Sequence, residues 1–329
     1  MKSTNSKKDS DVLQGIFNKI NPDEARLLSN TICQDPFTGL YKKALIFYVI
    51  FLSIILLWPF NFTFFEKKNH VKWSEASPGL HFIGEGQVIS PSFSKPFYEN
   101  LINGKGFSLE VWIYSANNNQ HGPARIVSYS LNPSYRNFTL GQEGSALIIR
   151  LRTENTNLNG TEPMLIVEDV FTHSKPLHIV VSYNFKEQCV YVNGKIRTTS
   201  IVPGGDFNNW DPGYPLILGN EATGDRPWLG KISYFAIYNH PIDSQGVRRN
   251  YNEVRRYISG NTEMAAPNEG LLVRYLFDEK KGVKVANSGT LFESFTLNIP
   301  DKIQTKGLSG MFTIIELHLP PSNSICIKF

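Results

Sequence analysis

The sequence predicts an all-β fold, an antiparallel sandwich of two sheets, with a single transmembrane helix in front of it. Two observations lead to this prediction. From Leu80 onward, short runs of β-forming residues alternate with clusters of Gly, Asn and Pro, a pattern typical of a sandwich. Ahead of that region, the 22 residues from Ala44 to Phe65 carry no charge, and a helix of that length can cross the hydrocarbon core of a bilayer.

The segments before the sandwich are predicted to be a partly helical cytoplasmic tail over 1–43, a transmembrane helix over 44–65 and a polar tether over 66–78. A buried core helix and a signal peptide are the alternatives to the span. A core helix rarely needs so long an uncharged run, and no small-residue cleavage site follows Leu57. Three basic residues flank the span on each side, so charge does not fix its orientation. We expect the N-terminus in the cytoplasm, since the short first segment is the easier one to leave behind.

Alternation of apolar and polar residues predicts strands over 107–115 and 145–153. In the first strand, Glu110 and Trp112 fall on the face opposite the core. In the second strand, Arg150 and Arg152 do so, about 7 Å apart by strand geometry. Further strands are predicted over 177–197, where residues 184–188 and the pair Asn193-Gly194 form turns, and over 214–220 and 230–238.

One helix interrupts this pattern after residues 240–243, His-Pro-Ile-Asp. Apolar side chains then repeat at helical spacing up to Ile258, with Asp243 or Ser244 as the N-cap. The polar face carries Arg248, Arg249, Arg255 and Arg256. Such a face could contact acidic lipid head groups, and an ordinary solvated helix face is the alternative.

Three segments, in this order, resemble the concanavalin A-like, laminin G-like module: "FSLEVWIYS", "HIVVSYNFKEQCVYVNG" and "LILGN…WLGKISYFAIYNHPID". The resemblance covers roughly Leu80 to Tyr251. It implies an antiparallel jelly-roll sandwich, which we expect over 79–295, followed by a C-terminal extension over 296–329. Residues 271–290 resemble the opening strand of such modules although they come last, as in a circular permutation, and are expected to supply a strand of the same sandwich.

Two further segments, "GPARIVSYSLNPSYRNFTLGQEG" and "NEATGDRPWLG", resemble the form of this module found in bacterial VanZ-like membrane proteins. There too, a membrane span precedes the sandwich, which implies a cell-envelope protein with the sandwich outside the cytoplasm. The several C-terminal membrane helices of that family have no counterpart in this sequence. We therefore expect the chain not to perform whatever those helices do.

Binding is predicted rather than catalysis. Glycosidases of the jelly-roll fold place paired carboxylates on one face of a strand, and no predicted strand here carries carboxylates at i and i+2 on an outward face. Other catalytic motifs are also missing, and His178 is expected to be a packed structural histidine. A net charge of +4 does not indicate a nucleic-acid partner.

We therefore expect a membrane-anchored, extracytoplasmic module that binds a glycan or an envelope protein. The alternatives are a structural or assembly module for a partner membrane protein such as a VanZ-like one, and a glycoside hydrolase-like enzyme.

The candidate ligand site is centred on the strand–loop–strand stretch Leu218–Asp243, because aromatic rings stack on sugars and polar side chains bind their hydroxyls. The predicted ligand-binding residues are Trp112, Arg150, Arg152, Trp210, Tyr214, Asn220, Glu221, Asp225, Arg226 and Trp228. The alternative is that Glu110 merely pairs with an arginine and that Trp228 plugs the hairpin.

No cofactor is expected, with calcium as an open alternative. Asn220, Glu221 and Asp225 place three oxygen donors within six positions, although their spacing is not that of an EF-hand. The three cysteines, Cys33, Cys189 and Cys326, lack metal-binding spacing. Free thiols are expected, and a Cys189–Cys326 disulfide is left open for an extracytoplasmic domain.

Overall fold

The computed structural model describes residues 36–57, 67–91, 95–201, 204–266, 270–289 and 295–305. The chain divides into two compact units, residues 1–66 and 67–329. The helices predicted within the tail and the cysteines Cys33 and Cys326 lie outside the described residues. Cys189 is half-buried, and its pairing with Cys326 stays open.

The first unit contains helix α1, Pro36–Leu57. It begins earlier than the predicted start at Ala44, because Pro36 has the fixed φ that suits a first helical position. The rest of the predicted span, 58–65, lies outside the described residues. By length and composition, Gly39–Leu56 can cross a membrane, a property that a signal sequence shares.

The second unit is a sandwich of two antiparallel sheets, which confirms the predicted fold. Sheet A consists, in spatial order, of β1 (Val71–Trp73), β2 (Leu80–Phe82), β13 (Gly230–Tyr238), β4 (Phe107–Ser115), β9 (Leu177–Tyr183), β10 (Gln188–Val192) and β11 (Lys195–Ser200), with β14 (Leu271–Tyr275) also paired to β13. Sheet B consists of β15 (Lys284–Val285), β16 (Leu297–Asn298), β3 (Val88–Ile89), β12 (Leu216–Leu218), β5 (Ala124–Asn132), β6 (Tyr135–Glu143), β7 (Ala146–Leu151) and β8 (Leu165–Val167).

The core lies between the two sheets and follows the predicted alternation. Leu109 and Val111 of β4 meet Leu147 and Ile149 of β7 in one cluster of buried residues. The Asn193–Gly194 turn joins β10 to β11, and both residues have positive φ, 52° and 76°. That geometry is the one an Asn-Gly hairpin turn favours.

Helix α2, Lys95–Ile102, was not predicted. Only Phe97 and Leu101 of its eight residues are buried, so the apolar period is too short to indicate a helix from sequence. Phe97 stacks on Phe295 with ring centroids 4.9 Å apart, which ties α2 into the core between the sheets.

Helix α3, Ser244–Ile258, confirms the predicted helix and closes the outer face of sheet A. Asp243 caps it, accepting a hydrogen bond from the Gly246 amide at 2.7 Å. Val247 and Val254 are buried against the outward side chains of sheet A. The four arginines of its polar face are exposed.

The sandwich extends beyond the predicted range 79–295 at both ends. Strand β1 lies within the predicted tether, and β16 lies within the predicted C-terminal extension. The two ends of the domain meet, since Lys68 forms an antiparallel bridge with Lys302. The segment 271–290 supplies β14 to sheet A and β15 to sheet B, so it completes both sheets.

Candidate functional site

The outer face of sheet A contains a buried polar network beneath α3. Glu110 accepts hydrogen bonds from His178 Nε2 at 2.7 Å, Tyr238 Oη at 2.8 Å and Asn250 Nδ2 at 3.0 Å. Glu110 and His178 have no exposed surface. His178 is thus packed in the interior, as expected, and its partner is Glu110. The predicted alternative in which Glu110 pairs with an arginine is wrong.

Trp112 belongs to this closed face. It is 8% exposed and stacks on Tyr251 of α3 with ring centroids 5.6 Å apart at 17°. A ligand cannot stack on a ring that the helix already covers. The structure therefore removes Trp112 from the candidate site.

Trp228 fills the hairpin between β12 and β13. It has no exposed surface, lies 6.2 Å from the Phe82 ring, and its Nε1 donates to Gln142 Oε1 at 3.0 Å. Gly230 permits this packing, since a Cβ there would lie 2.3 Å from the Trp228 ring. Trp228 is thus the plug of the hairpin and not a sugar platform.

Trp210 and Tyr214 also lie in the core, 3% and 8% exposed. The Trp210 Nε1 donates to the carbonyl of Arg152 at 2.6 Å. Arg152 follows the last residue of β7, is only 8% exposed, and lies close to Tyr98 and Tyr214 and not at an open surface as predicted. Burial raises the pKa of Tyr214, as does the charge of Asp211, whereas the charge of Arg152 lowers it.

The remaining predicted residues come together on the outer face of sheet B, where the loop after β12 folds over β5. Ser128 Oγ donates to the carbonyl of Asn220 at 2.9 Å, and Ser130 Oγ donates to Glu221 Oε1. The Asn220 side chain accepts from the amide of Arg226 at 3.0 Å. These contacts fix Glu221, which has no exposed surface, above the sheet.

Two arginines that the sequence analysis did not select hold Glu221. Arg125 Nε donates to Glu221 Oε2 at 3.1 Å, and Arg136 Nη1 lies 4.0 Å from the same oxygen. Arg136 also donates to Thr139 Oγ1 at 2.9 Å. Both arginines are at most 1% exposed. Alternation could have placed Arg125 on the outer face of β5, but Arg136 has the same parity as the core residue Phe138 and reaches that face only through a register shift between β5 and β6.

Arg150 and Arg226 complete what we call the arginine cluster: Arg125, Arg136, Arg150 and Arg226 around Glu221. Arg150 lies opposite Thr139 in the β6–β7 pairing and is half-buried. The Arg226 side chain is 36% exposed and lies 3.8 Å from Asp225, which is 47% exposed. The buried members form a floor and the partly exposed members form a rim.

The charges of the arginine cluster act on each other. The pKa of Arg136 is lowered to about 9, first by burial and then by the charge of Arg125, with Glu221 opposing that shift. The pKa of Arg150 is lowered to about 10 by burial and then by Arg125. Both groups still carry a full charge at neutral pH, so like charges are held close together.

The calcium prediction gains no support from this arrangement. Both oxygens of Glu221 are engaged by Arg125 and Ser130, and Asp225 accepts from Thr223 Oγ1 at the exposed rim. Four neighbouring guanidinium groups oppose a cation. Across the residues that the structure describes, no group of three or more His, Cys, Asp and Glu side chains could hold a metal ion.

Two open clefts lie elsewhere on the sandwich. One is bounded by residues 169–177 and 192–197, and the other by 76–78 and 257–263. Neither contains a predicted site residue, so the arginine cluster remains the place where the predictions and the geometry agree.

Residues 90–248 match the family model described as the concanavalin A-like lectin/glucanases superfamily, just under half of the chain. This segment is therefore a domain of that superfamily, which confirms the resemblance at that level. The match does not address the VanZ-like form, which stays a prediction. No curated protein was found to match the chain.

Solved structures with a similar fold include a Bacteroides ovatus protein provisionally described as carbohydrate binding, with 14% identity, a TM-score of 0.46 and coverage of 70% of this chain and 62% of that one. The binding domain of botulinum neurotoxin DC, solved with rat synaptotagmin II, has 13% identity, a TM-score of 0.44 and coverage of 68% and 56%. The binding domain of botulinum neurotoxin serotype C1 has 18% identity, a TM-score of 0.42 and coverage of 56% and 46%. The chain thus spans 46% to 62% of these proteins, and similarities of this size support no conclusion about ligands.

Proposed function

We propose that the sandwich is a non-catalytic binding module, anchored in the membrane by α1, that recognises a glycan or another envelope component on the outer face of sheet B. The observation that carries the proposal is the contrast between the two outer faces. Helix α3 closes sheet A, whereas sheet B carries an arginine cluster whose rim residues Arg150 and Arg226 reach solvent. Ligand sites place a small number of convergent polar groups where they can orient the bound molecule.

A binding role agrees better with this site than hydrolysis does. Glycoside hydrolysis needs one carboxyl group as an acid and a second as a base or nucleophile. Glu221 is held by Arg125 and Ser130, which engage both of its oxygens. Asp225, the carboxylate beside it in the loop, is occupied at the rim by Thr223 and Arg226.

A glycan array with the detergent-solubilised full chain tests the proposal. We expect binding that Arg150→Gln weakens and that Arg197→Gln leaves unchanged. Arg197 is the matched control because it is an exposed arginine on β11 of the other sheet. Binding that both variants weaken equally would reflect general charge attraction and would contradict the proposal.

The membrane orientation is tested by reporter fusions at the two ends of the chain. We expect a reporter at the C-terminus to be active outside the cytoplasm and one at the N-terminus to be active inside it. A C-terminal reporter active only in the cytoplasm would rule out recognition of the envelope.

The second candidate function is an assembly module for a partner membrane protein, such as a VanZ-like one. It is favoured by the exposed basic face of α3, formed by Arg248, Arg249, Arg255 and Arg256. Pull-down from membranes would then retrieve one partner protein, and replacing the four arginines by glutamine would release it. Glycan binding without a co-purifying protein would decide against this candidate.

A further inference from the structure

The arginine cluster carries more positive than negative charge. Four guanidinium groups face three carboxylates, Glu221, Asp225 and Glu143. Glu143 is already bound by His121 Nδ1 and by the Gly122 amide, both at 2.9 Å. Bringing like charges together in a partly buried site is costly unless a counter-charge is present.

Several donors of the same cluster lack acceptors. The Nε atoms of Arg136, Arg150 and Arg226 and the Nδ2 atom of Asn220 are buried and have no hydrogen-bond partner within the described part of the chain. Arg136 itself has no exposed surface. Buried donors are almost always satisfied in folded proteins, so a group of four around one carboxylate points to a missing acceptor.

The geometry also leaves a route for that acceptor. Arg125 and Arg136 are turned toward Glu221 at the floor, while Arg150 and Arg226 stand at the half-exposed rim. An anion that enters from the rim meets charged N–H donors first and would relieve the repulsion between them. Planar guanidinium groups bind carboxylate, sulfate and phosphate groups with paired hydrogen bonds.

We propose that the ligand of this face carries an oxyanion, such as the carboxylate of a uronic acid or a sulfate ester on a glycan, which binds between Arg150 and Arg226 above Arg136. This proposal rests on the proposed function for the glycan and adds the chemical class of ligand. The uncharged hydroxyls of a neutral sugar would satisfy the donors without balancing the charge.

Ligand-dependent melting of the detergent-solubilised full chain provides the test. Sodium glucuronate, sodium sulfate and sodium phosphate are titrated against glucose and against sodium chloride of equal ionic strength, which separates specific binding from screening. We expect glucuronate or sulfate to raise the melting temperature in a saturable way, and glucose and chloride not to do so. A response to phosphate alone would assign the site to a phosphate-bearing ligand and overturn the acidic-sugar form of the proposal.

Two double variants with the same change in charge give the control. Arg150→Gln/Arg226→Gln should weaken the affinity for glucuronate or sulfate by at least about tenfold, whereas Arg248→Gln/Arg249→Gln on α3 should change it by less than about twofold. Without ligand, the cluster variant should melt at or above the wild-type temperature, because it removes mutual repulsion. Equal losses in both variants, or a cluster variant that melts early, would overturn the proposal.

The outcomes separate this inference from the proposed function. If neutral glycans bind, Arg150→Gln weakens their binding and no anion binds, then the oxyanion inference fails and the proposed function stands. If sulfate binds at the arginine cluster but neither a glycan nor another envelope component does, the proposed function fails. A variant truncated after Thr305 tests an internal occupant, since Glu316 is the sole acidic side chain in 306–329. If the truncated variant responds to anions and the full chain does not, the removed segment occupies the site in the full chain, and the proposal of an external ligand is overturned.

Discussion

Glu110 and Glu221 are both buried carboxylates on outer faces of the sandwich, and their surroundings differ in charge balance. Around Glu110, the donors are one histidine, one tyrosine and one amide, and helix α3 closes over them. Around Glu221, Arg125 and Ser130 donate hydrogen bonds, and the charges of Arg125, Arg136 and Arg150 together exceed what this carboxylate can balance. The set around Glu110 is covered by a helix and serves packing, whereas the set around Glu221 reaches solvent at Arg150 and Arg226 and has capacity for a ligand.

The largest expected effect is on the closed face. Glu110→Ala should destabilise the domain by ~3–5 kcal/mol, because it removes one partner of a buried, hydrogen-bonded set. Urea unfolding in detergent measures the loss, with Glu99→Ala as the control, since Glu99 forms an exposed pair with Lys95 at 3.4 Å. Sulfate should stabilise wild type and Glu110→Ala by the same amount, through the arginine cluster that both retain, and so leave the difference between them unchanged. A difference that sulfate narrows would mean that the closed face also admits anions, which would contradict the comparison.

A similar loss is expected from the plug beside the open face. Trp228→Ala should cost on the order of 3–5 kcal/mol, since it leaves a cavity next to Phe82 and removes one of the hydrogen bonds to Gln142. Trp58→Ala is the control, because it makes the same substitution in the other unit. It should leave the urea transition of the sandwich unchanged. If Trp228→Ala unfolds like wild type but loses ligand binding, Trp228 contacts the ligand and the assignment as a plug is wrong.

A moderate effect with a defined pH dependence sharpens the comparison. Tyr238→Phe removes a hydrogen bond to Glu110 and should cost ~1–3 kcal/mol at neutral pH. Burial, and then the charge of Glu110, raises the pKa of Tyr238 well above its usual value of 10. A raised folded pKa gives stability that is fully present below pH 10 and is lost as the pH rises toward that folded value.

The difference between wild type and Tyr238→Phe should therefore stay constant near neutral pH and shrink above pH 10. Urea unfolding at pH 7.5 and at pH 10.5 measures it. Tyr135→Phe is the control, because Tyr135 is 44% exposed. A gap that widens above pH 10 would show that Tyr238 is not held neutral by its surroundings.

The smallest effect on stability is expected at the rim. Asp225→Ala should change the unfolding free energy by less than ~0.5 kcal/mol, because Asp225 is an exposed partner of Arg226. Its removal should strengthen anion binding, since it takes away a competing carboxylate. Neither calcium nor a chelator should change the melting temperature. A calcium-dependent shift that Asp225→Ala abolishes would replace the anion site by a metal site.

Local periodicity explains which predictions were correct. The strands β4, β7, β9 and β13 and helix α3 each repeat apolar residues with a regular period, and each was found where that period predicted it. Helix α2 and strand β1 were missed because a few residues carry too little of a pattern. The aromatic residues Trp210 and Tyr214 were assigned to a ligand loop, but that loop folds back into the core.

The candidate site shows the limit of such reasoning more clearly. Outward positions were identified correctly for Glu110 and Arg150, yet only one of these two faces is open. Arg125 and Arg136 were missed, since they meet only through the pairing of β5 with β6, in which Ser130 lies opposite Arg136. The shifts of register within that pair cannot be read from alternation alone.

The sequence by itself determined that the chain forms a β-sandwich with a basic amphipathic helix and an apolar helix long enough to span a membrane, because these features depend on spacing along the chain. Only the tertiary structure decided which outward face is sealed and which holds exposed charge. A helix packs on sheet A, and a loop brings Glu221 over sheet B. Both are contacts between residues distant in sequence, and the free energy of burying or exposing a charge is set by all of its neighbours together.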